Sequence, residues 1–131
     1  MSAWTPEELA AIASPDELEI ATRRRDGTLR DPVTIWTVRH GDDLYVRSVN
    51  GPTAAWYRGA QTLREARIAA SGVEQDVNLV DADHTPDDQI DAEYRTKYRR
   101  YSENTLRRIT GPEARSTTLK LVPGSADQRR R

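Results

Sequence analysis

Apolar positions along the chain fall into short alternating runs broken by turn residues, with helical spacing near the start and in the second half. Thr5-Pro6-Glu7-Glu8 reads as a helix start: Thr5 to cap, Pro6 at the first helical position, Glu8 to complete a capping box. Leu9 and Ile12 give this helix an apolar side, and it should end before Pro15, because a residue that precedes proline is pushed out of the helical region. Between Glu17 and Arg25, Leu18, Ile20 and Thr22 alternate with other residues, which predicts a strand. Asp26-Gly27 is a turn signal. A second strand follows Asp31-Pro32, with Val33, Ile35, Thr37 and Arg39 on one side and Thr34, Trp36, Val38 and His40 on the other. Gly41-Asp42-Asp43 leads to a third strand, Leu44 to Ser48, so that the first three strands form an antiparallel meander.

After Asn50-Gly51-Pro52 the composition turns helical, from Thr53 to Ala60. Leu63 to Ser71 resumes as a strand, with Ala66, Ile68 and Ala70 on one side and Arg67 opposite. Gly72 marks a turn or bulge, and Val73 to Ala82 is the next strand. Thr85-Pro86-Asp87-Asp88 repeats the opening helix-start chemistry. The helix it begins should run to about Tyr101, with Ile90, Tyr94, Lys97, Tyr98 and Tyr101 on one face. Leu106 and Ile109 are read as part of a connector ended by Gly111-Pro112, and Ser116 to Val122 as the last strand. About six strands with two main helices make an α+β, antiparallel barrel-like pattern. One domain is expected over 3–123, and 124–131 as a flexible basic tail.

Composition narrows the class. A chain of 131 residues suits one domain. It has no cysteine, which excludes disulfides, thiolate metal sites and a cysteine nucleophile. No apolar run approaches the ~20 residues that span a membrane, and the N-terminus lacks a signal-peptide pattern; a cytoplasmic protein is expected. A net charge of −1 argues against nucleic acid and anionic membrane as partners. Of the 20 basic residues all but Lys97 and Lys120 are arginine. Arginine suits planar, bidentate anion contacts, but codon usage accounts for the excess as a whole, so each arginine has to be judged by position.

Few chemistries fit. His40 and His84 are not at ligand spacing, and the acidic cluster Asp81, Asp83, Asp87 and Asp88 precedes a helix, where carboxylates complement the dipole; no metal site is expected. There is no nucleophile elbow, P-loop or dinucleotide fingerprint. The segment Arg47 to Arg58 stands apart. Arg47 and Ser48 end a strand, Asn50-Gly51 permits a sharp turn with free N–H groups, and Trp56, Tyr57 and Arg58 add flat rings and a second guanidinium. Arg67 could join from the next strand. Such a set suits a phosphorylated aromatic ligand. It equally suits a strand, turn and helix in which Trp56 fills the barrel end and the arginines are solvated, and the residues alone leave both readings open. A second candidate is the face bearing Tyr94, Lys97 and Tyr98, where a lysine beside a tyrosine favours phenolate and proton transfer; the plainer reading is ring packing against the barrel. The pairs Arg99-Arg100 and Arg107-Arg108 are read as solvated faces.

Asp26-Gly27, Pro32…Ile35-Trp36-x-Val38, Leu44-Tyr45-Val46-Arg47-Ser48, Gly51…Ala55-Trp56-Tyr57-Arg58 and Asp91…Tyr94-x-x-Lys97-Tyr98 resemble an uncharacterised bacterial domain family across nearly the whole chain. More distantly, the order of elements resembles the split β-barrel flavin-binding proteins, both the pyridoxamine-phosphate-oxidase-like enzymes and the deazaflavin-dependent nitroreductase-like group. That resemblance implies an antiparallel split β-barrel and a homodimer. It also implies a flavin- or deazaflavin-dependent oxidoreductase acting on a small-molecule substrate with FMN or a deazaflavin as cofactor. Arg47, Ser48, Asn50, Gly51 and Arg58, with Arg67, would anchor phosphate; Trp56 or Tyr57 would line the ring site; Tyr98 or Tyr94, with Lys97, would handle the proton. A non-redox enzyme on the same barrel without cofactor, and a small-molecule-binding module without chemistry, are the competing readings.

Overall fold

The computed structural model describes residues 4–82 and 86–124. The chain opens with helix α1 (Pro6–Ala13). Its capping box forms as the sequence predicts: the Glu8 N–H donates to the Thr5 hydroxyl at 3.1 Å and the Thr5 N–H to the Glu8 carboxylate at 2.9 Å, while Leu9 and Ile12 are buried. Seven strands follow: β1 (Leu18–Thr22), β2 (Val33–Ile35), β3 (Thr37–His40), β4 (Asp43–Val46), β5 (Glu65–Ala70), β6 (Val73–Asp81) and β7 (Leu119–Pro123). Between β4 and β5 lie a 3₁₀ turn (Gly51–Thr53) and helix α2 (Ala55–Leu63); between β6 and β7 lie α3 (Asp87–Lys97), α4 (Glu103–Ile109) and the short α5 (Pro112–Arg115).

The strands form one sheet in the order β2-β1-β5-β6-β7-β4-β3, every neighbour antiparallel. Its two edge strands, β2 and β3, are consecutive in the chain and separated only by Trp36. The stretch 33–40, expected as one strand, therefore pairs with β1 over its first half and with β4 over its second. That double pairing draws the sheet into a nearly closed antiparallel barrel, and closure removes most of the exposed sheet edge. The break falls at Trp36 because its ring leaves the ladder to stack on Tyr98, with centroids 3.8 Å apart and planes within 5°.

Local chemistry fixes the rest. The β5–β6 hairpin turns on Ser71 and Gly72, both with left-handed φ (53° and 78°), the geometry that suits a two-residue hairpin. Helix α2 lies against β1 at Gly59, where a Cβ would come within 2.9 Å of the Thr22 hydroxyl. Two apolar clusters result. One fills the barrel, with Leu18, Ile20, Leu44, Val46, Ile68, Val77, Leu79, Leu119 and Leu121, and receives Leu9 and Ile12 from α1. The other lies between β3, β4 and the helical layer, with Val38, Tyr45, Ile90, Tyr94, Tyr98, Leu106 and Ile109.

Four expectations change. There are seven strands rather than six, because of the break at Trp36. The supposed connector around Leu106 and Ile109 is helix α4, capped by Ser102, whose hydroxyl accepts from the Thr105 N–H at 3.2 Å. The last strand starts at Leu119 rather than Ser116, because the Thr117 and Thr118 hydroxyls bond back to the α5 carbonyls of Ala114 and Arg115, each at 2.7 Å. Helix α3 stops at Lys97, short of Tyr101. Thr85, His84 and the tail 125–131 lie outside the described residues.

Candidate functional site

A cleft of about 290 Å3 opens where the β2–β3 corner, the segment after β4, α2 and α4 meet. Thr34, Ile35 and Trp36 form one wall, Val49 and Asn50 the next, and Trp56 a third. Thr105, Arg108 and Ile109 close it from α4, with Arg47 and Ser48 at its base. The volume is at the lower end of small-molecule pockets.

Arg47 is 1 % exposed and fully engaged. Its Nη1 donates to Asp91 Oδ1 at 2.5 Å and to the Ile109 carbonyl at 3.1 Å, its Nε donates to the Thr118 hydroxyl at 2.9 Å, and its Nη2 reaches the Asp87 carbonyl at 3.4 Å. Its guanidinium also lies 5.4 Å from the centre of the Tyr94 ring. Asp91 is shared with Arg115 at 3.3 Å. A buried cation needs such a complete set of partners. The set ties β4 to α3, α4 and the start of β7, and so builds the base of the cleft. Arg47 thereby clamps these elements together.

Ser48 is likewise committed. Its hydroxyl donates to the Gly51 carbonyl at 2.7 Å and its N–H to the Thr117 hydroxyl at 2.8 Å. Gly51 adopts φ +80°, and a Cβ there would press on the Glu113 side chain at 3.3 Å, so this residue serves the turn. Asn50 remains at the rim, where its Oδ1 accepts from Arg108 Nη2 at 2.6 Å. Of the Trp-Tyr-Arg block only Trp56 lines the cleft. Tyr57 is half-buried on the side of Asp81 and Arg64; burial, then Asp81, pushes its phenol up from the ordinary value. Arg58 is exposed and away from the cleft lining. Arg67 pairs with Asp76 across the β5–β6 ladder at 2.9 Å. Of these three arginines Arg47 alone is among the residues that line the cleft.

The tyrosine face packs inward. Tyr94 and Tyr98 are fully buried, and burial pushes both phenols well above their ordinary range. The Tyr98 hydroxyl donates to the Asp16 carbonyl at 2.5 Å and accepts from the Thr37 N–H at 3.3 Å. Lys97 Nζ donates to the Thr37 carbonyl at 2.6 Å and sits 5.1 Å from the Tyr98 ring centre; burial pulls its ammonium down to about 8. None of the three lines the cleft. In this arrangement they hold α3 to β3, with the Trp36 ring stacked on Tyr98 and lining the cleft.

The residues that the sequence reading missed are Thr34, Ile35 and Trp36 on the β2–β3 corner, and Thr105 and Arg108 on α4. A signal for α4 was present: Ser102 as cap, Glu103 in the first turn, and Leu106 and Ile109 at i, i+3 spacing. Among the described residues no group of three or more His, Asp or Glu could hold a metal, and no helix is long and apolar enough to cross a membrane.

Fold and cleft together define a split β-barrel with a small-molecule-sized hollow at its corner. The chain belongs to the family described as "Uncharacterized protein conserved in bacteria (DUF2255)", whose model matches residues 8–121. Solved structures share the barrel at low identity. The one named "F420 Reductase" is 16% identical over 88% of this chain and 92% of its own, with a TM-score of 0.55. The putative pyridoxamine 5'-phosphate oxidase from Listeria innocua is 13% identical over 91% and 92%, with a TM-score of 0.61. The heme storage protein HutZ from Vibrio cholerae is 13% identical over 84% and 82%, with a TM-score of 0.62. At these identities the likeness speaks to the fold. No curated protein matches the sequence.

Proposed function

We propose that the cleft takes the aromatic ring system of a flavin-type cofactor, FMN or a deazaflavin, and that the protein is a cytoplasmic oxidoreductase acting on a small molecule. The observation that carries this reading is the pair of indoles, Trp36 and Trp56, on the walls of a cleft rimmed by the Arg108 guanidinium. Two flat apolar walls suit a planar heterocycle, and a rim cation suits its anionic arm. Split-barrel neighbours named for F420 and for pyridoxamine phosphate support the choice of ligand. The fit concerns the rings and the rim: Arg47 and Ser48 are spent on the fold and leave phosphate to Arg108. When bound, such a cofactor supplies hydride transfer; this chain holds the rings, shields them from water and orients the arm.

A homodimer forms part of the same reading. Val49 at the cleft and Val33 beside Thr34 are exposed at 39 % and 38 %, apolar surface that a second copy would cover. The engaged state of Arg47 and Ser48 favours a second reading, a binding module for a smaller aromatic acid without redox chemistry. Titration of the purified protein with FMN and with a deazaflavin, followed by tryptophan fluorescence, separates the two. A dissociation constant below roughly 100 μM for either cofactor, weakened at least ten-fold by Trp56→Leu, is expected; absence of binding by both removes the redox reading.

A further inference from the structure

A second hollow, of about 460 Å3, adjoins the cleft and shares Val49, Asn50 and Arg108 with it. The two are halves of one groove divided by the Asn50–Arg108 hydrogen bond. Their linings differ in kind. The first half carries the indoles. The second is bordered by Arg107 and Arg108 at the end of α4, by Gly111 in the turn to α5, and by Glu113, a net charge of +1.

These two guanidiniums are the available ones of the groove, because Arg47 at the base of the cleft is spent on Asp91. Arg23, Arg47, Arg64, Arg67 and Arg115 each have a carboxylate within 3.4 Å. Arg107 has one only at 3.8 Å, from Glu103, with both side chains more than half exposed, a contact worth little. Arg108 has no carboxylate partner among the described residues. It is held by a neutral acceptor, Asn50 Oδ1, which fixes its direction without neutralising its charge. The Arg47 clamp adds rigidity, since its bond to the Ile109 carbonyl anchors the residue next to Arg108. Gly111 permits the tight turn here: a Cβ would stand 3.0 Å from the Arg107 carbonyl.

We propose that the second hollow is a phosphate subsite and that the ligand of the groove is bipartite. A planar aromatic head lies against Trp36 and Trp56, and a phosphorylated side arm passes Asn50 to end on Arg107 and Arg108. The head placement rests on the reading given under Proposed function; the subsite rests on the arginine geometry. A phosphate oxygen takes the place of the loose Glu103 contact on Arg107, and Arg108 meets the arm where the two halves join.

Comparing riboflavin with FMN tests this, because the two differ only in the phosphate. Wild-type protein at low salt should bind FMN at least ten-fold more tightly, and Arg107→Ala should reduce that preference at least three-fold. Equal binding of the two flavins by the wild type would overturn the subsite and leave the cofactor reading standing. If neither flavin binds, inorganic phosphate decides the subsite alone, and the cofactor reading rests on the deazaflavin titration. Amide NMR signals of Asn50 and Gly111 should move with phosphate in the wild type and stay fixed in an Arg107→Ala, Arg108→Ala double variant. Signals that stay fixed in the wild type, or move equally in both proteins, would overturn it.

Discussion

Arg47 and Arg108 border the same cleft, yet their surroundings give one functional group two opposite uses. Arg47 is closed in by Asp91, two carbonyls, the Thr118 hydroxyl and the Tyr94 ring. Arg108 meets a single neutral amide at the rim. The aromatic residues divide in the same way. Tyr94 and Tyr98 lie in the apolar layer, whereas Trp56 is half-buried and faces the opening. Burial among fixed partners makes a residue part of the scaffold; partial exposure with one neutral partner leaves the Arg108 charge free to bind. Residue type, by itself, does not separate the two.

The sharpest test of the contrast is to remove each arginine. Arg47→Met strips a buried ion pair and leaves Asp91 facing the helical layer, so a loss of about 3–5 kcal/mol in denaturant unfolding is expected. Arg108→Ala should stay within about 0.5 kcal/mol of wild type. Equal losses for the two variants would erase the distinction. Next in size is Tyr98→Phe, which leaves the Asp16 carbonyl and the Thr37 N–H short of a partner and should cost about 1–3 kcal/mol. Affinity for a cleft ligand should stay within two-fold of wild type; a ten-fold loss would place Tyr98 in the binding machinery after all.

The smallest effect concerns pH. Burial holds Lys97 down at about 8 against an ordinary 10.5, so between these values the unfolded chain binds more protons than the folded one. Stability should therefore rise as pH increases from 8 towards 10.5, by about 1 kcal/mol once the partial exposure of the side chain is allowed for. Lys97→Met should flatten that slope in urea titrations at pH 8, 9 and 10. An unchanged slope in the variant would show that another group is responsible.

Several elements were legible in the sequence because their causes are local. The Thr5/Glu8 box spans four residues, the turn after β5 was marked by Gly72, and the apolar face of α3 repeats every turn. Alternation also marked the inward side of β5, where Ala66, Ile68 and Ala70 are buried and Arg67 points out. The candidate site was only half legible: the sequence pointed to Trp56 and Asn50 and passed over Trp36 and Arg108.

What the sequence by itself determined was the α+β barrel class and most strand positions, with a candidate stretch at residues 47–58 of which Arg47, Ser48, Val49, Asn50 and Trp56 line the cleft. What only the tertiary structure decided was which side chains in that stretch are free. The partners that consume Arg47 lie 44, 62 and 71 residues away along the chain. The ring on which Trp36 stacks where the 33–40 strand breaks belongs to Tyr98, just past α3 and some sixty residues on. Availability of a charged or aromatic group depends on what packs around it. Packing between distant segments leaves no periodic trace in either of them, so it becomes readable only when the chain is folded.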